Sequence, residues 1–228
     1  MKNIAIILAS GSGERFGENI PKQFYKFKNK TLLEHSLDAF EKNTCIDEII
    51  VVVNPKFRDL AEEIIKNNDY KKITKVLDGG KTRVDSSRIG TFEAPDFSNV
   101  LIHDAVRAFV TQDVINRNIE ALKANQAVGT AIDTIDTVIQ VDKNGYITNI
   151  PSRKSIKRVQ TPQSFRAELI KKAHKMALDN NDTDFTDDCG LVLRYNLAPI
   201  NIVDGDEINL KITRKNDLKI IENLLGGN

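Results

Sequence analysis

Ile4-Ala5-Ile6-Ile7-Leu8, followed at once by Ala9-Ser10-Gly11-Ser12-Gly13, is the stretch whose reading decides the fold class. A strand buried on one face alternates apolar and polar residues. A run that is apolar throughout is buried on both faces, as in a parallel sheet covered by helices on each side. The glycines that end it allow a tight turn in which backbone N–H groups approach a ligand without Cβ obstruction. Outward from this stretch the pattern repeats. Thr31–Phe40 places Leu32, Leu33, Ser36, Leu37 and Phe40 at helical spacing, with Thr31 as N-cap and Glu34 completing a capping box. Glu48–Val53 reads as a second buried strand ended by Asn54-Pro55, and Phe57–Lys66 as a helix. Ile73–Leu77 is a third strand, Thr82–Phe92 a helix, and Val100–His103 a short strand running into Asp104. Thr111–Asn125 is a helix with Val114, Ile115, Ile119 and Leu122 on its apolar side. The alternation implies a Rossmann-like α/β fold, a mainly parallel sheet with helices on both faces.

Beyond this point the rhythm changes. Thr137–Val141 and Tyr146–Ile150 flank Asp142-Lys143-Asn144-Gly145, and Asn-Gly between β-rich runs signals a hairpin. A protruding β-hairpin arm is expected at about residues 137–153, within a single domain spanning 1–228. Ala167–Leu178 reads as a helix, Pro199–Val203 as a strand and Asp217–Leu225 as a closing helix.

Bulk composition narrows the function classes. Lys+Arg 33 against Asp+Glu 32 leaves no global field to attract nucleic acid or a membrane surface, so any anion site must be a local cluster. Cys45 and Cys189 stand alone, without the spacing of a disulfide framework or a zinc site, and read as small core residues. No apolar run has the length of a membrane span. Met1-Lys2-Asn3 leads directly into the first strand with no signal-peptide pattern, so a cytoplasmic protein is expected. His35 and His174 lie inside helices and read as structural.

Six segments carry candidate chemistry. Ala9-Ser10-Gly11-Ser12-Gly13, with Arg15 and then Pro21-Lys22-Gln23, combines a glycine turn with two cations. It lacks the Gly-Lys-Ser/Thr of a P-loop, and its third glycine comes one position late for a dinucleotide fingerprint. Glycines alone would be a tight turn; with Pro-Lys-Gln the phosphate reading is favoured. Gly79-Gly80-Lys81-Thr82-Arg83 precedes a helix and is either a surface turn or a second anion or base contact. Asp104 in His103-Asp104-Ala105-Val106-Arg107 falls at the mouth of the sheet, where α/β ligands bind, and can hold Mg²⁺ beside phosphates or pair with Arg107 to fix a loop. Arg153 with Gln160-Thr161-Pro162-Gln163-Ser164-Phe165, the Thr186-Asp187-Asp188 segment, and Asn209-Leu210-Lys211-Ile212-Thr213 each have a bland alternative: a turn, a solvated helix N-terminus, and a strand edge with an exposed Lys.

In this order these segments resemble the cytidylyltransferase family of isoprenoid and teichoic-acid biosynthesis, over about Ile4–Leu218. The resemblance implies CTP as co-substrate, Mg²⁺, a sugar-alcohol phosphate as acceptor, and a homodimer through the arm. Residue by residue it places Ala9, Ser10, Gly11, Ser12 and Gly13 in the triphosphate loop, and gives catalytic roles to Arg15, Lys22, Arg153 and Lys211. It places Gly80, Arg83 and Ser86 at the base and nucleotide, and Asp104 and Ala105 near ribose and metal, with Arg107 beside them. Thr137, Arg153, Thr161, Thr186 and Lys211 match the acceptor-phosphate pocket. Ala108 stands where Pro is usual, Ser10 where Ala or Gly is usual, and Ile156-Lys157 where erythritol-phosphate enzymes carry Leu-Trp. Ile150-Pro151 and Thr111-Gln112 lean toward the ribitol-phosphate branch, Thr186-Asp187-Asp188 toward the erythritol branch. Ribitol 5-phosphate, giving CDP-ribitol, is the favoured acceptor here, with 2-C-methyl-D-erythritol 4-phosphate as the alternative. A nucleotidyltransferase for sugar 1-phosphates or for UTP or ATP, a non-catalytic CTP sensor and a dehydrogenase are the rival classes.

Overall fold

In the computed structural model, which describes residues 1–11 and 20–226, the opening apolar run is the strand β1 (Lys2–Ala9). Its residues go alternately to two cores. Ala5, Ile7 and Ala9 join Leu33, Leu37 and Phe40 of α1 (Leu32–Lys42) and Val114 and Ile115 of α4 (Gln112–Ala121). Ile4, Ile6 and Leu8 join Ile170 and Ala173 of α5 (Ala167–Asp179) and Leu191 and Val192 of α6 (Asp188–Arg194). Each isoleucine so enclosed contributes roughly 1.5–3 kcal/mol of transfer free energy, which is why no polar residue interrupts the run.

After β1 come the short antiparallel pair β2 (Lys26–Phe27) and β3 (Lys30–Thr31). Then follow β4 (Glu48–Val53), α2 (Arg58–Asn67), β5 (Ile73–Asp78), α3 (Arg83–Phe92) and β6 (Ser98–Asp104). β6, β1, β4 and β5 are mutually parallel in that spatial order. Ala9, Val53, Asp78 and Asp104 therefore end their strands on one edge of the sheet. α3 lies close over β1: a Cβ on Gly90 would stand 2.5 Å from Ile6 Cγ2.

Besides the short β2 and β3, two strands of the main sheet went unrecognised in the sequence: β7 (Ala127–Asp133) and β10 (Lys157–Arg166). β10 inserts antiparallel between β6 and β7, and β11 (Asn201–Asp204) pairs parallel with β7, completing a seven-stranded order β11-β7-β10-β6-β1-β4-β5. The Gln-Thr-Pro-Gln-Ser-Phe segment is thus strand rather than turn, with a register shift between Gln160 and Ser164. The expected hairpin is present but short, as β8 (Gln140–Val141) and β9 (Ile147–Asn149). In its loop the Asp142 carboxylate accepts from the N–H groups of Asn144 and Tyr146, and Gly145 takes a φ of +86°. The final helix α7 (Lys215–Leu224) packs Leu218 and Ile221 against Phe27, Leu32 and Ile212. Cys45, expected in the core, is exposed, and Cys189 is half-buried.

The capping box at α1 forms as expected: Thr31 Oγ1 accepts from Glu34 N–H at 3.2 Å, and Glu34 Oε2 accepts from Thr31 N–H at 2.7 Å. Thr31→Ala should therefore lower stability by about 1 kcal/mol. The check is a lower midpoint of urea denaturation with an unchanged m value.

Candidate active site

The carboxyl edge of the parallel strands opens into a cavity of about 800 Å³. Ala9, Ser10 and Gly11 at the end of β1, Lys22, Gly80 and Arg83, Asp104 at the end of β6, and Lys211 all line it. Ligands of open α/β sheets bind on this edge. Gln23 draws Pro-Lys-Gln to the cavity, since its Nε2 donates to the carbonyls of Ala9 at 2.6 Å and Gly11 at 2.9 Å. Opposite, Ser86 joins two loops. Its hydroxyl donates to Thr82 O at 3.0 Å and accepts from Ser10 Oγ at 2.7 Å and from Gly80 N–H at 3.1 Å. A hydroxyl has one donor and two acceptor positions, so Ser86 is saturated and acts here as the joint of the wall.

Asp104 is the acid lining the cavity among the described residues. Its Oδ1 accepts from Arg83 Nε at 2.9 Å and its Oδ2 from Lys211 Nζ at 2.7 Å. Burial opposes its charge, yet the Arg83 guanidinium and the Lys211 ammonium outweigh it and hold the carboxyl well below the usual carboxylate range. Burial likewise opposes the Arg83 charge, but Asp188 and Asp104 hold its pKa above the ordinary value. Behind Asp104 runs a chain of hydrogen bonds. Its N–H donates to Thr161 Oγ1 at 3.1 Å, Thr161 lies 2.9 Å from His103 Nδ1, and His103 Nε2 lies 3.1 Å from the Arg107 carbonyl. A carbonyl can only accept, so the ring carries its proton on Nε2, and Nδ1 accepts from the Thr161 hydroxyl. Burial pushes the His103 pKa down to about 4, keeping the ring neutral.

Several expected site residues sit elsewhere. Ser12, Gly13 and Arg15 lie outside the described residues. Ala105 is buried, its N–H donating to Leu8 O at 3.0 Å. Arg107 does not pair with Asp104; it donates to Asn209 O at 2.9 Å and Val159 O at 3.1 Å, strapping the Lys211 segment to β10. Lys211 itself lies in irregular chain rather than on a strand edge. Thr161 is buried in the chain behind Asp104. Thr186 is exposed just before α6 and lines neither cavity. Arg153 and Thr137 are 3.5 Å apart on the arm, lining a separate cavity of about 200 Å³ that shares no residue with the first. Asp188, expected to be solvated, is 1% exposed and pairs with Arg83 Nη1 at 2.8 Å. Asn54 and Lys56 also line the main cavity. The end of the apolar Glu48–Val53 run was the available signal for them, since parallel strands deliver their ends to one edge.

A nucleotide-sized cavity at the carboxyl edge, walled by Gly11, Gly79 and Gly80 and by cations around one carboxylate, is the arrangement of a nucleotidyltransferase. The chain belongs to the family described as IspD, 2-C-methyl-D-erythritol 4-phosphate cytidylyltransferase, whose family model matches residues 3–227. It is 39% identical over 236 residues to a 2-C-methyl-D-erythritol 4-phosphate cytidylyltransferase of Bifidobacterium longum, covering 98% of this chain and 81% of the relative. It is 38% identical over 228 residues to the bifunctional ribulose 5-phosphate reductase/CDP-ribitol pyrophosphorylase Bcs1 of Haemophilus influenzae, covering 98% of this chain and 48% of that protein. Its fold matches the crystal structure of 4-diphosphocytidyl-2C-methyl-D-erythritol synthase from Anaerococcus prevotii with a TM-score of 0.87 at 31% identity, covering 98% and 96% of the two chains. The chain is accordingly a cytidylyltransferase, a CTP-dependent enzyme of the nucleotidyltransferase class.

The Asp104 ion pairs make a prediction about acid stability. A carboxyl whose folded pKa lies below its unfolded value of about 3.9 contributes stability that is full above that value and is lost as pH falls through the folded pKa. The unaltered chain should therefore lose stability below about pH 4 more steeply than Asp104→Asn. Urea midpoints measured between about pH 2 and 6 check this, and parallel acid limbs would contradict the pairing.

Proposed function

We propose that the chain transfers the cytidylyl group of CTP to the phosphate of a small acyclic polyol phosphate at the carboxyl-edge cavity, with release of pyrophosphate. The observation that carries the reading is the convergence of Gly11, Lys22, Gly80, Asp104 and Lys211 on one cavity in a member of this family. An acceptor phosphate oxygen attacks the α-phosphorus of CTP; the new O–P bond forms as the bond to the bridging oxygen breaks, and pyrophosphate departs with that electron pair. The attacking group is already an anion, so no protein nucleophile is required. Positioning and charge neutralisation are what the chain supplies. Lys22, with Arg15 earlier in the chain, neutralises the charge that builds on the transferred and leaving phosphates. Lys211 and Arg153 hold the acceptor phosphate, one as a point charge and the other as a planar fork. Ala9–Gly13, Gly80, Arg83, Ser86 and Ala105 form the nucleotide side, and Arg107, Thr137, Thr161 and Thr186 support the acceptor side.

A divalent metal fits the donor set. Among the described residues no three His, Cys, Asp or Glu side chains gather into a metal site, and one carboxylate lines the cavity. That suits Mg²⁺, which takes one or two carboxylates together with substrate phosphates and water. Asp104 would hold it, and the ion when bound supplies charge neutralisation on the phosphate oxygens. We further propose one domain over 1–228, a cytoplasmic location and a homodimer in which the arm brings Arg153 and Thr137 toward a partner's cavity. Among the described residues no helix is long and apolar enough to cross a membrane.

The better-supported acceptor is 2-C-methyl-D-erythritol 4-phosphate, the compound in the names of most relatives of high identity. Ribitol 5-phosphate, favoured by Ile150-Pro151 and Thr111-Gln112, is kept as a second reading by the Haemophilus influenzae relative. Pyrophosphate release measured with CTP, UTP, ATP and GTP against both acceptors decides: CTP with one polyol phosphate should exceed every other pair, and release from none would refute the reading. In the same assay Lys22→Ala should cut kcat about a hundredfold or more with a smaller change in CTP affinity. Arg153→Ala should mainly raise the acceptor KM.

A further inference from the structure

Asp188 makes only internal contacts and lies outside the cavity lining, although it sits at the first position of α6. Its Oδ2 accepts from Arg83 Nη1 at 2.8 Å, and its Oδ1 from the Ser87 hydroxyl. Gln163 on β10 clamps the same turn: its Oε1 accepts from the N–H groups of Asp188 and Cys189, each at 3.0 Å, and its Nε2 donates to Asp187 Oδ2 at 2.7 Å. The carboxylate is therefore fixed from two elements before it meets Arg83. Burying a carboxylate is unfavourable unless a cation and hydrogen bonds compensate, and both are present here.

Arg83 is the shared partner. Its Nε donates to Asp104, its Nη1 to Asp188, and its Nη2 is buried with no hydrogen-bond partner among the described residues. Lys211, Asp104, Arg83 and Asp188 thus form a row of alternating charge that sums to zero. Removing Asp188 would leave the row one positive charge in excess. It would also let the planar guanidinium turn two nitrogens onto Asp104 as a bidentate pair, in competition with Lys211 for that carboxylate.

We propose that Asp188 is a positioning residue for the nucleotide side of the cavity: it anchors Arg83 so that the guanidinium meets Asp104 through Nε alone and stays fixed in the wall that a bound nucleoside triphosphate would contact. This rests on the cytidylyltransferase reading and adds a residue, remote from the ligand, that acts through Arg83. It distinguishes the two substrates, because Asp188 supports the nucleotide wall and no part of the arm that carries Arg153.

The test is a double-mutant cycle read by calorimetric CTP binding, with the acceptor KM measured in parallel and circular dichroism confirming the fold. Asp188→Asn should weaken CTP binding about tenfold, with a smaller rise in the acceptor KM, which it reaches only through the Lys211–Asp104 contact. In an Arg83→Gln background the same substitution should add almost nothing, because its effect passes through the missing guanidinium. Ser87→Ala, which keeps the charge and removes one hydrogen bond to it, should shift CTP affinity in the same direction by a smaller factor. If Asp188→Asn does not fold, the Ser87→Ala and Arg83→Gln pair supplies the cycle. Unchanged CTP affinity in these variants, or effects that simply add to that of Arg83→Gln, would overturn the inference while leaving the cytidylyltransferase reading intact. Failure of the unaltered chain to bind CTP would overturn both.

Discussion

The Asp104 carboxylate closes a buried strand, and two cations meet it there from opposite directions along the chain. Arg83 arrives from the first turn of α3 and Lys211 from the irregular segment before α7. Neither cation is near Asp104 in sequence, so the ion pairs join three parts of the fold at the mouth of the sheet. The strand can end in a charged residue because the charge is matched on both oxygens. Depth alone would favour the neutral acid; the two cations reverse that preference. Catalysis by charge neutralisation requires this kind of preorganisation, in which dipoles and charges are set before substrate arrives.

The surrounding polar network is satisfied through shared partners. Ser86 spends its full hydrogen-bonding capacity on the wall between Ser10 and Gly80, and the Thr161 hydroxyl links Asp104 to His103. Arg107 and Gln160 hold the segment that delivers Lys211, with Gln160 Nε2 donating to Asp206 O at 2.8 Å. Residues that a family resemblance places at the ligand therefore divide into those that line the cavity and those that do not. Lys22, Arg83, Asp104 and Lys211 line the space, whereas Ser86, Thr161 and Arg107 hold its frame. Arg153 and Thr137 stand apart on the arm, where they line a separate cavity.

Which elements were legible in the chain follows from what each buries. β1 and β4 are enclosed by helices on both faces, so they carry long apolar runs and stand out; β6 shows only the short run Val100–Ile102. β7 and β10 are enclosed too, but they carry Thr130, Gln160, Gln163 and Ser164 into the interior. Those side chains are satisfied by distant partners: Asn118 reaches Thr130 Oγ1 at 2.8 Å and Ser164 Oγ reaches Asn118 Oδ1 at 2.9 Å. Polar residues in a strand look like a turn until such partners are known. The same gap explains Asp188 and Lys211, whose counter-ions lie more than a hundred residues away.

Hydrophobic periodicity and capping residues were enough to establish the α/β class, the positions of most helices and the arm, because these depend on neighbours within a few residues; the chemistry was legible only through the resemblance of the ordered motifs to a known family. The antiparallel insertion of β10, the choice of Arg83 and Lys211 over Arg107 as partners of Asp104, and the burial of Asp188 required the folded chain. Electrostatic pairing acts across space and is indifferent to sequence separation, so no local pattern encodes which charge will meet which.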